Sequence, residues 1–211
     1  MLDLIYEDNA ETKEISKKSL DSLKNAADQT YNLLENLLYW SRSQRGNLVN
    51  NPEMINIYEL VLENIELLRT MSKNKNIEIL NKVDENICAY ADRNIIKTVL
   101  RNLIINAIKF TDEKGTVSIS SSENNGKVEV EVADNGIGIQ KSNLEKILNN
   151  KEYYTTFGTK REKGSGLGLN LCIDFINRNN GELYIDSEYG KGSTFTFTLP
   201  GDNHQEGINN Q

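Results

Sequence analysis

Two stretches of this chain alternate apolar and polar residues without a slip, Val117-Ser-Ile-Ser and Val128-Glu-Val-Glu-Val, and Asn124-Asn-Gly126 lies between them. Period-two alternation marks a strand with one covered face, and an Asn-Gly pair favours a tight turn, so the two predict a hairpin. A second hairpin is expected from Leu183-Tyr-Ile and Thr194-Phe-Thr-Phe-Thr-Leu199, ending at Pro200. Ile77-Glu-Ile-Leu and Ile87-Cys-Ala-Tyr-Ala read as further strands. Other stretches follow the helical period instead. Ile57 to Met71 carries apolar residues at 57, 60, 61, 65, 67 and 68, and Asp92 stands as N-cap before a helix bearing Val99, Leu100, Leu103, Ile104 and Ile108. A last helix runs from about Leu167 to Asn177. Strands in one layer and helices in the other predict an α+β sandwich.

The first 49 residues have another character. From Ser16 to Ser41, residues Leu20, Leu23, Ala27, Thr30, Leu34, Leu37 and Ser41 recur at alternating spacings of three and four, widened by Tyr31, Leu33, Leu38 and Trp40. Such a seam needs a second helix to cover it, which predicts a helical hairpin that dimerises. Gly46 and the Asn47-Leu-Val-Asn-Asn-Pro52 stretch would form the exit linker. The expected organisation is therefore residues 1–49 as a helical dimerisation segment, 50–200 as the α+β domain and 201–211 as a disordered tail.

Charge and composition narrow the function. A net charge of −7 argues against general nucleic-acid binding, which needs a basic footprint. Cys88 and Cys172 are far apart and outside any metal-ligand spacing, as expected of two thiols in a reducing compartment. No apolar run reaches membrane-spanning length, so the fragment is expected to be cytoplasmic and to make no membrane contact of its own, which leaves open a membrane anchor elsewhere in a longer parent.

Four short motifs stand in order between Asn102 and Gly168. In Asn102-Leu-Ile-Ile-Asn106-Ala-Ile-Lys109-Phe110, the two amides are four residues apart on a helix and share a face. Asn106 could offer its amide oxygen to magnesium, and Lys109 could reach a phosphate as a point charge. In Asp134-Asn-Gly136-Ile-Gly138, a carboxylate at the end of a strand could accept a hydrogen bond from the exocyclic amino group of adenine. The two glycines there let backbone lie against the base. Gly164-Ser165-Gly166-Leu167-Gly168 opens a helix, whose N-terminus attracts phosphate, although no Gly-Lys-Ser/Thr follows as a P-loop requires. Between these two motifs, Asn149 to Lys163 contains Thr155-Thr-Phe157-Gly158-Thr159 with Lys160 and Arg161, the composition of a basic lid over a triphosphate.

The series Asn106/Lys109/Phe110, Asp134/Gly136/Gly138, Phe157, Gly164/Gly166/Gly168 and Gly190-Lys-Gly192-Ser-Thr-Phe195 closely resembles the successive motifs of sensor histidine kinases. The resemblance covers about Pro52 to Pro200. It implies a Bergerat-type two-layer α/β sandwich of the GHKL superfamily, a mixed sheet covered by helices, that binds ATP and Mg2+. By resemblance Asn106 would bind the metal, Asp134 the adenine amino group and Lys109 a phosphate, while Phe110 would border the base. Asn102, Gly136, Gly138, Thr159, Lys160 and the stretch Gly164, Ser165, Gly166, Leu167 and Gly168 would complete the nucleotide site. Leu33 to Gln44 also looks like the second helix of the family's dimerisation and phosphoacceptor hairpin, which implies a homodimer. The family passes its phosphate on to an aspartate of a response-regulator receiver domain.

One departure bears on activity. The family's acceptor histidine is followed by an acidic residue and then arginine and proline, whereas this chain's single histidine, His204, stands in the tail beside Gln205-Glu-Gly. The chain is expected to start partway down the first hairpin helix and not to autophosphorylate alone. Two other functions compete with a kinase catalytic fragment. A GHKL ATPase would need a glutamate one turn before Asn106, where this chain has Asn102, which is no general base. A nucleotide-regulated dimerisation module would bind ATP without passing phosphate on.

Overall fold

The computed structural model describes residues 50–148, 158–160 and 168–202. The heptad segment within 1–49, Phe157, the stretch Gly164 to Leu167 and the tail bearing His204 lie outside the described residues. In order, the chain forms β1 (Glu53–Asn56), α1 (Ile57–Asn74), β2 (Glu78–Lys82), β3 (Cys88–Ala91), α2 (Arg93–Phe110), β4 (Thr116–Asn124) and β5 (Lys127–Asp134). Then come α3 (Lys141–Leu148), α4 (Gly168–Arg178), β6 (Leu183–Glu188) and β7 (Gly192–Pro200).

Five strands make one mixed sheet in the order β2–β4–β5–β7–β6. Both expected hairpins are present, and β5 and β7 pair antiparallel between them. In the first hairpin Asn124 pairs with Lys127, and the two residues between them, Asn125 and Gly126, have φ of 51° and 74°. Two consecutive positive φ values are what a two-residue hairpin turn with the strands' own twist demands, which is why Asn-Gly stands there. The β2 strand lies parallel to β4, with Ile79 opposite Val117. Parallel neighbours need a long crossover, and here it is β3 and α2.

Alternation sorts the sheet's residues. Val117, Ile119, Val128, Val130, Val132, Phe195 and Phe197 are buried, while Ser118, Ser120, Glu129 and Glu131 between them are half-buried on the opposite face. The apolar face meets α2, which presents Ile96, Leu100, Leu103, Ile104 and Ile108, all without exposed surface. Helix α1 packs beside α2 through Ile57, Leu60 and Val61, and α4 packs on its other flank through Leu171, Cys172, Phe175 and Ile176. Each such apolar side chain contributes about 1.5–3 kcal/mol by leaving water, and α2, which touches α1, α4 and the sheet, is the central member of the helical layer. The sheet ends at β6, whose Tyr184, Asp186 and Glu188 are exposed.

The structure adds elements that the sequence pattern did not predict. Four residues past Pro52, expected only to follow a linker, form β1 and pair antiparallel with β3 as a separate ribbon, Glu53 opposite Ala91. Helix α3 occupies 141–148, a stretch without an assignment. Helix α1 runs three residues beyond Met71, and β2 starts one residue after the Ile77-Glu-Ile-Leu pattern and ends two after it.

Candidate functional site

The site is organised by the two ends of α2. At the N-terminus Asp92 caps the helix as expected: its Oδ1 accepts from the amides of Asn94 (3.0 Å) and Ile95 (3.1 Å). Its Oδ2 accepts from the Asn51 amide at 3.0 Å, and its own amide donates to Asn179 Oδ1 at 2.8 Å. Toward the C-terminus, Asn102 and Asn106, eight and four residues before Phe110, are half-buried, and Lys109 is 7% exposed although it carries a charge. The Lys109 ammonium sits 4.7 Å from the centroid of the Phe110 ring.

A helix end leaves carbonyls without intrahelical partners. Here they are answered by three separate segments. Lys75 Nζ, from the turn after α1, donates to the carbonyls of Ile108 (3.0 Å), Lys109 (2.8 Å) and Thr111 (3.3 Å) and to Thr159 Oγ1 (2.7 Å). The Thr159 amide donates to Lys109 O at 3.1 Å, and its hydroxyl donates to Thr111 O at 3.0 Å. The Ile137 amide donates to Phe110 O at 3.0 Å. Thus Lys109, Phe110, Gly136 and Thr159 are drawn to the same turn of helix.

Asp134 is the last residue of β5, between Val117 and Ser193 on the neighbouring strands. Burial pushes its carboxyl up from 3.8 to about 6, against the opposing pull of the Gly136 and Ser193 amides. Oδ1 accepts from the Gly136 amide at 2.9 Å. The loop that follows has no room for side chains. A Cβ on Gly136 would lie 2.2 Å from Phe110 O, and one on Gly192, where φ is +118°, would lie 1.9 Å from Asp134 O. Gly138 also has positive φ, and the Ile137 carbonyl accepts from the Gly190 amide at 2.8 Å. The glycines of 190–192 therefore support the loop after Asp134 from behind, a role the sequence motif alone did not disclose.

Helix α4 begins at Gly168 beside α2, and a Cβ on Gly168 would lie 3.4 Å from Asn102 Oδ1. Asn102 Nδ2 is buried and has no hydrogen-bond partner. An unpartnered buried amide next to a helix N-terminus is the kind of group a polar ligand satisfies. Lys160 takes another course from Lys109: it is exposed, and its ammonium donates to Asn74 O at 3.0 Å and pairs with Glu113 at 2.8 Å. Gly164, Ser165, Gly166 and Leu167 lie outside the described residues. Among the described residues no three His, Cys, Asp or Glu side chains converge as a metal site, and no helix is long and apolar enough to cross a membrane. The residue that sequence reasoning missed is Lys75. It sits in the polar run Ser72-Lys-Asn-Lys75-Asn76, where nothing distinguishes a buried ammonium from a solvated one.

Comparison with known proteins gives consistent results. Residues 91–203 match the family described as histidine kinase-, DNA gyrase B-, and HSP90-like ATPase. The sensor histidine kinase WalK of Bacillus subtilis is 31% identical over 97% of this chain, which spans 34% of that protein. The catalytic domain of the histidine kinase ThkA superposes with a TM-score of 0.62 at 31% identity, covering 72% of this chain and 96% of that one. ThkA has also been solved in complex with the response regulator protein TrrA, where the TM-score is 0.65 at 27% identity over 84% of this chain and 49% of that one. Full-length ShkA in complex with AMPPNP gives 0.71 at 26% identity, over 88% of this chain and 38% of that one. The chain thus spans about a third of the length of the curated relative WalK.

Proposed function

The chain belongs to the histidine kinase-, DNA gyrase B-, and HSP90-like ATPase family, and on that footing we propose that it is the ATP-binding catalytic part of a sensor histidine kinase. It binds Mg-ATP between α2, the loop after Asp134 and the N-terminus of α4, and gives the γ-phosphate to a histidine that this sequence does not hold in the family's context. The phosphate then passes to an aspartate of a response-regulator receiver domain. Residues 1–49 provide the homodimer contact.

The observation that carries this is the half-buried Asp134 carboxyl at the end of β5, with Gly136 pressed against Phe110 O so that backbone rather than side chain flanks it. Asp134 accepts from the adenine amino group, and Gly136, Gly138 and Phe110 border the base. Lys109, on the last turn of α2, neutralises phosphate charge, and Gly168 turns the N-terminus of α4 toward the same group. Asn102 gives its unpartnered amide to the ligand. The donor set fits magnesium rather than a protein-caged metal: one amide oxygen, from Asn106, leaves most of the shell to phosphates and water. Magnesium bound there supplies charge neutralisation across the transferring phosphate. Thr159 holds residues 158–160 at the end of α2, and Lys160 ties them to Asn74 and Glu113. The stretch Gly164, Ser165, Gly166 and Leu167 completes the phosphate contact.

Hydrolysis as in the ATPases of the family is disfavoured by Asn102, which cannot deprotonate water. The test is calorimetric titration of the chain with a non-hydrolysable ATP analogue and magnesium. Asp134→Asn should weaken binding about ten- to hundredfold, the worth of a hydrogen bond to a charged group at about 1.5–3 kcal/mol. Unchanged affinity removes the adenine assignment, and steady phosphate release from ATP by the wild-type chain would favour hydrolysis instead.

A further inference from the structure

A lysine that is 3% exposed is unusual, because removing an ammonium from water costs several kcal/mol unless its hydrogens are answered. The Lys75 ammonium is answered at the C-terminus of α2, where carbonyls and the negative end of the helix dipole favour a cation. A helix can end more cheaply with a left-handed glycine that satisfies the same carbonyls locally. Instead Thr111 leaves α2 in extended conformation, at φ −88° and ψ 137°, and the closing group comes from another element 33 to 36 residues earlier. What this arrangement gains is a fourth partner. The same ammonium holds Thr159 Oγ1, so the residues after α1, the end of α2 and the 158–160 segment meet at one nitrogen.

The base and the phosphate sides of the site depend on this nitrogen to different degrees. Asp134 is fixed by its pairing with Val117 and Ser193 and by the backbone contact of Gly192, none of which involves Lys75. Lys109, by contrast, rides on the turn whose carbonyls Lys75 holds. Residues 158–160 hang from the same turn, and only seven residues separate Lys160 from Gly168 at the start of α4.

We propose that Lys75 is a positioning residue for the triphosphate: its buried ammonium sets the last turn of α2 and the Thr159 segment in one register, aligning Lys109 with the N-terminus of α4. This rests on the assignment of the site to ATP. It makes no claim that Lys75 touches nucleotide.

Calorimetry with two probes separates positioning from mere stability. Adenosine reports the base side, and a non-hydrolysable ATP analogue with magnesium reports both sides. In Lys75→Met the analogue should bind at least tenfold more weakly, while adenosine, which keeps its Asp134 contact and feels that turn only through Phe110, should lose clearly less. Lys75→Arg should restore part of the analogue's affinity. Thr159→Val, which removes one acceptor of the ammonium and leaves the buried charge in place, should weaken the analogue about threefold. The double variant should be no weaker than Lys75→Met, because the hydroxyl acts through the ammonium; additive losses would mean that Thr159 meets the phosphate itself and would overturn the proposal. A parallel loss of both probes in Lys75→Met makes the lysine a structural cap only. Where Lys75→Met fails to fold, Thr159→Val decides, and unchanged analogue binding there overturns the proposal. Wild-type chain that binds neither probe sinks the ATP assignment itself, an outcome distinct from all of these.

Discussion

The N-terminus of α2 is completed by the residue next to it, whereas its last three carbonyls are completed by groups from three other parts of the chain. Asp92 satisfies the amides of Asn94 and Ile95 within three residues. The carbonyls of Ile108, Lys109 and Phe110 wait for Lys75, Thr159 and Ile137. The local end makes the helix form; the distant one brings together the residues assigned to the nucleotide. Substitutions at the local end should therefore be felt in stability alone, and substitutions at the assembled end in stability and nucleotide binding together.

The largest expected effect comes from pH at the assembled end. The folded Asp134 carboxyl titrates near 6, above its ordinary 3.8, so the folded state holds this proton more tightly than the unfolded chain does. Its contribution therefore makes the protein more stable as pH falls from about 6 to about 4, by at most about 3 kcal/mol. Adenosine affinity should move the other way, declining as pH drops below about 6, because the ionised carboxylate is the better acceptor. Urea midpoints of wild type and Asp134→Asn at pH 7.5 and 5 isolate the first effect, since the amide variant lacks it. Equal pH slopes would show that the carboxyl is better solvated than its burial implies.

Next in size is Gly136→Ala, whose Cβ would meet Phe110 O at 2.2 Å. It should cost about 1–3 kcal/mol in unfolding free energy and also remove most adenosine binding, because the backbone bordering the base must move. The smallest effect belongs to the local end. Asp92→Ala should cost about 1 kcal/mol as a lost cap, with adenosine and ATP-analogue affinities within twofold of wild type. Nucleotide affinity that falls as far in Asp92→Ala as in Gly136→Ala would break the division between the two ends.

What could be read from the sequence follows the same division. The Asp92 cap, the Asn125-Gly126 turn, the alternating strands and the position of Asp134 at a strand end all depend on residues within a few positions of each other. Lys109 and Lys160, read alike as cations for phosphate, are told apart only by the fold: one is buried at the end of α2, the other exposed against Glu113. The β1–β3 ribbon was illegible because a four-residue strand after a proline carries too little pattern. Parallel pairing of β2 with β4 and the burial of Lys75 depend on partners more than 30 residues away, which periodicity does not register. Gly192 illustrates the boundary well. Its presence in a motif was visible, but its reason, the Asp134 carbonyl 1.9 Å from where a methyl would be, required the sheet.

The outer strand β6 has one more implication, for the behaviour of the molecule at high concentration. An unpaired strand margin is a template on which a second copy could extend the sheet. Among the described residues, β6 forms one margin of the sheet, where Asp186, Glu188 and nearby Glu182 are exposed, Glu188 paired with Lys191 and Glu182 4.0 Å from Lys127, so two copies brought together there would meet predominantly acidic side chains. That margin is therefore guarded against edge-to-edge sheet growth by repulsion, and mildly acidic solution, which protonates those carboxylates, is the condition in which association through it would first emerge.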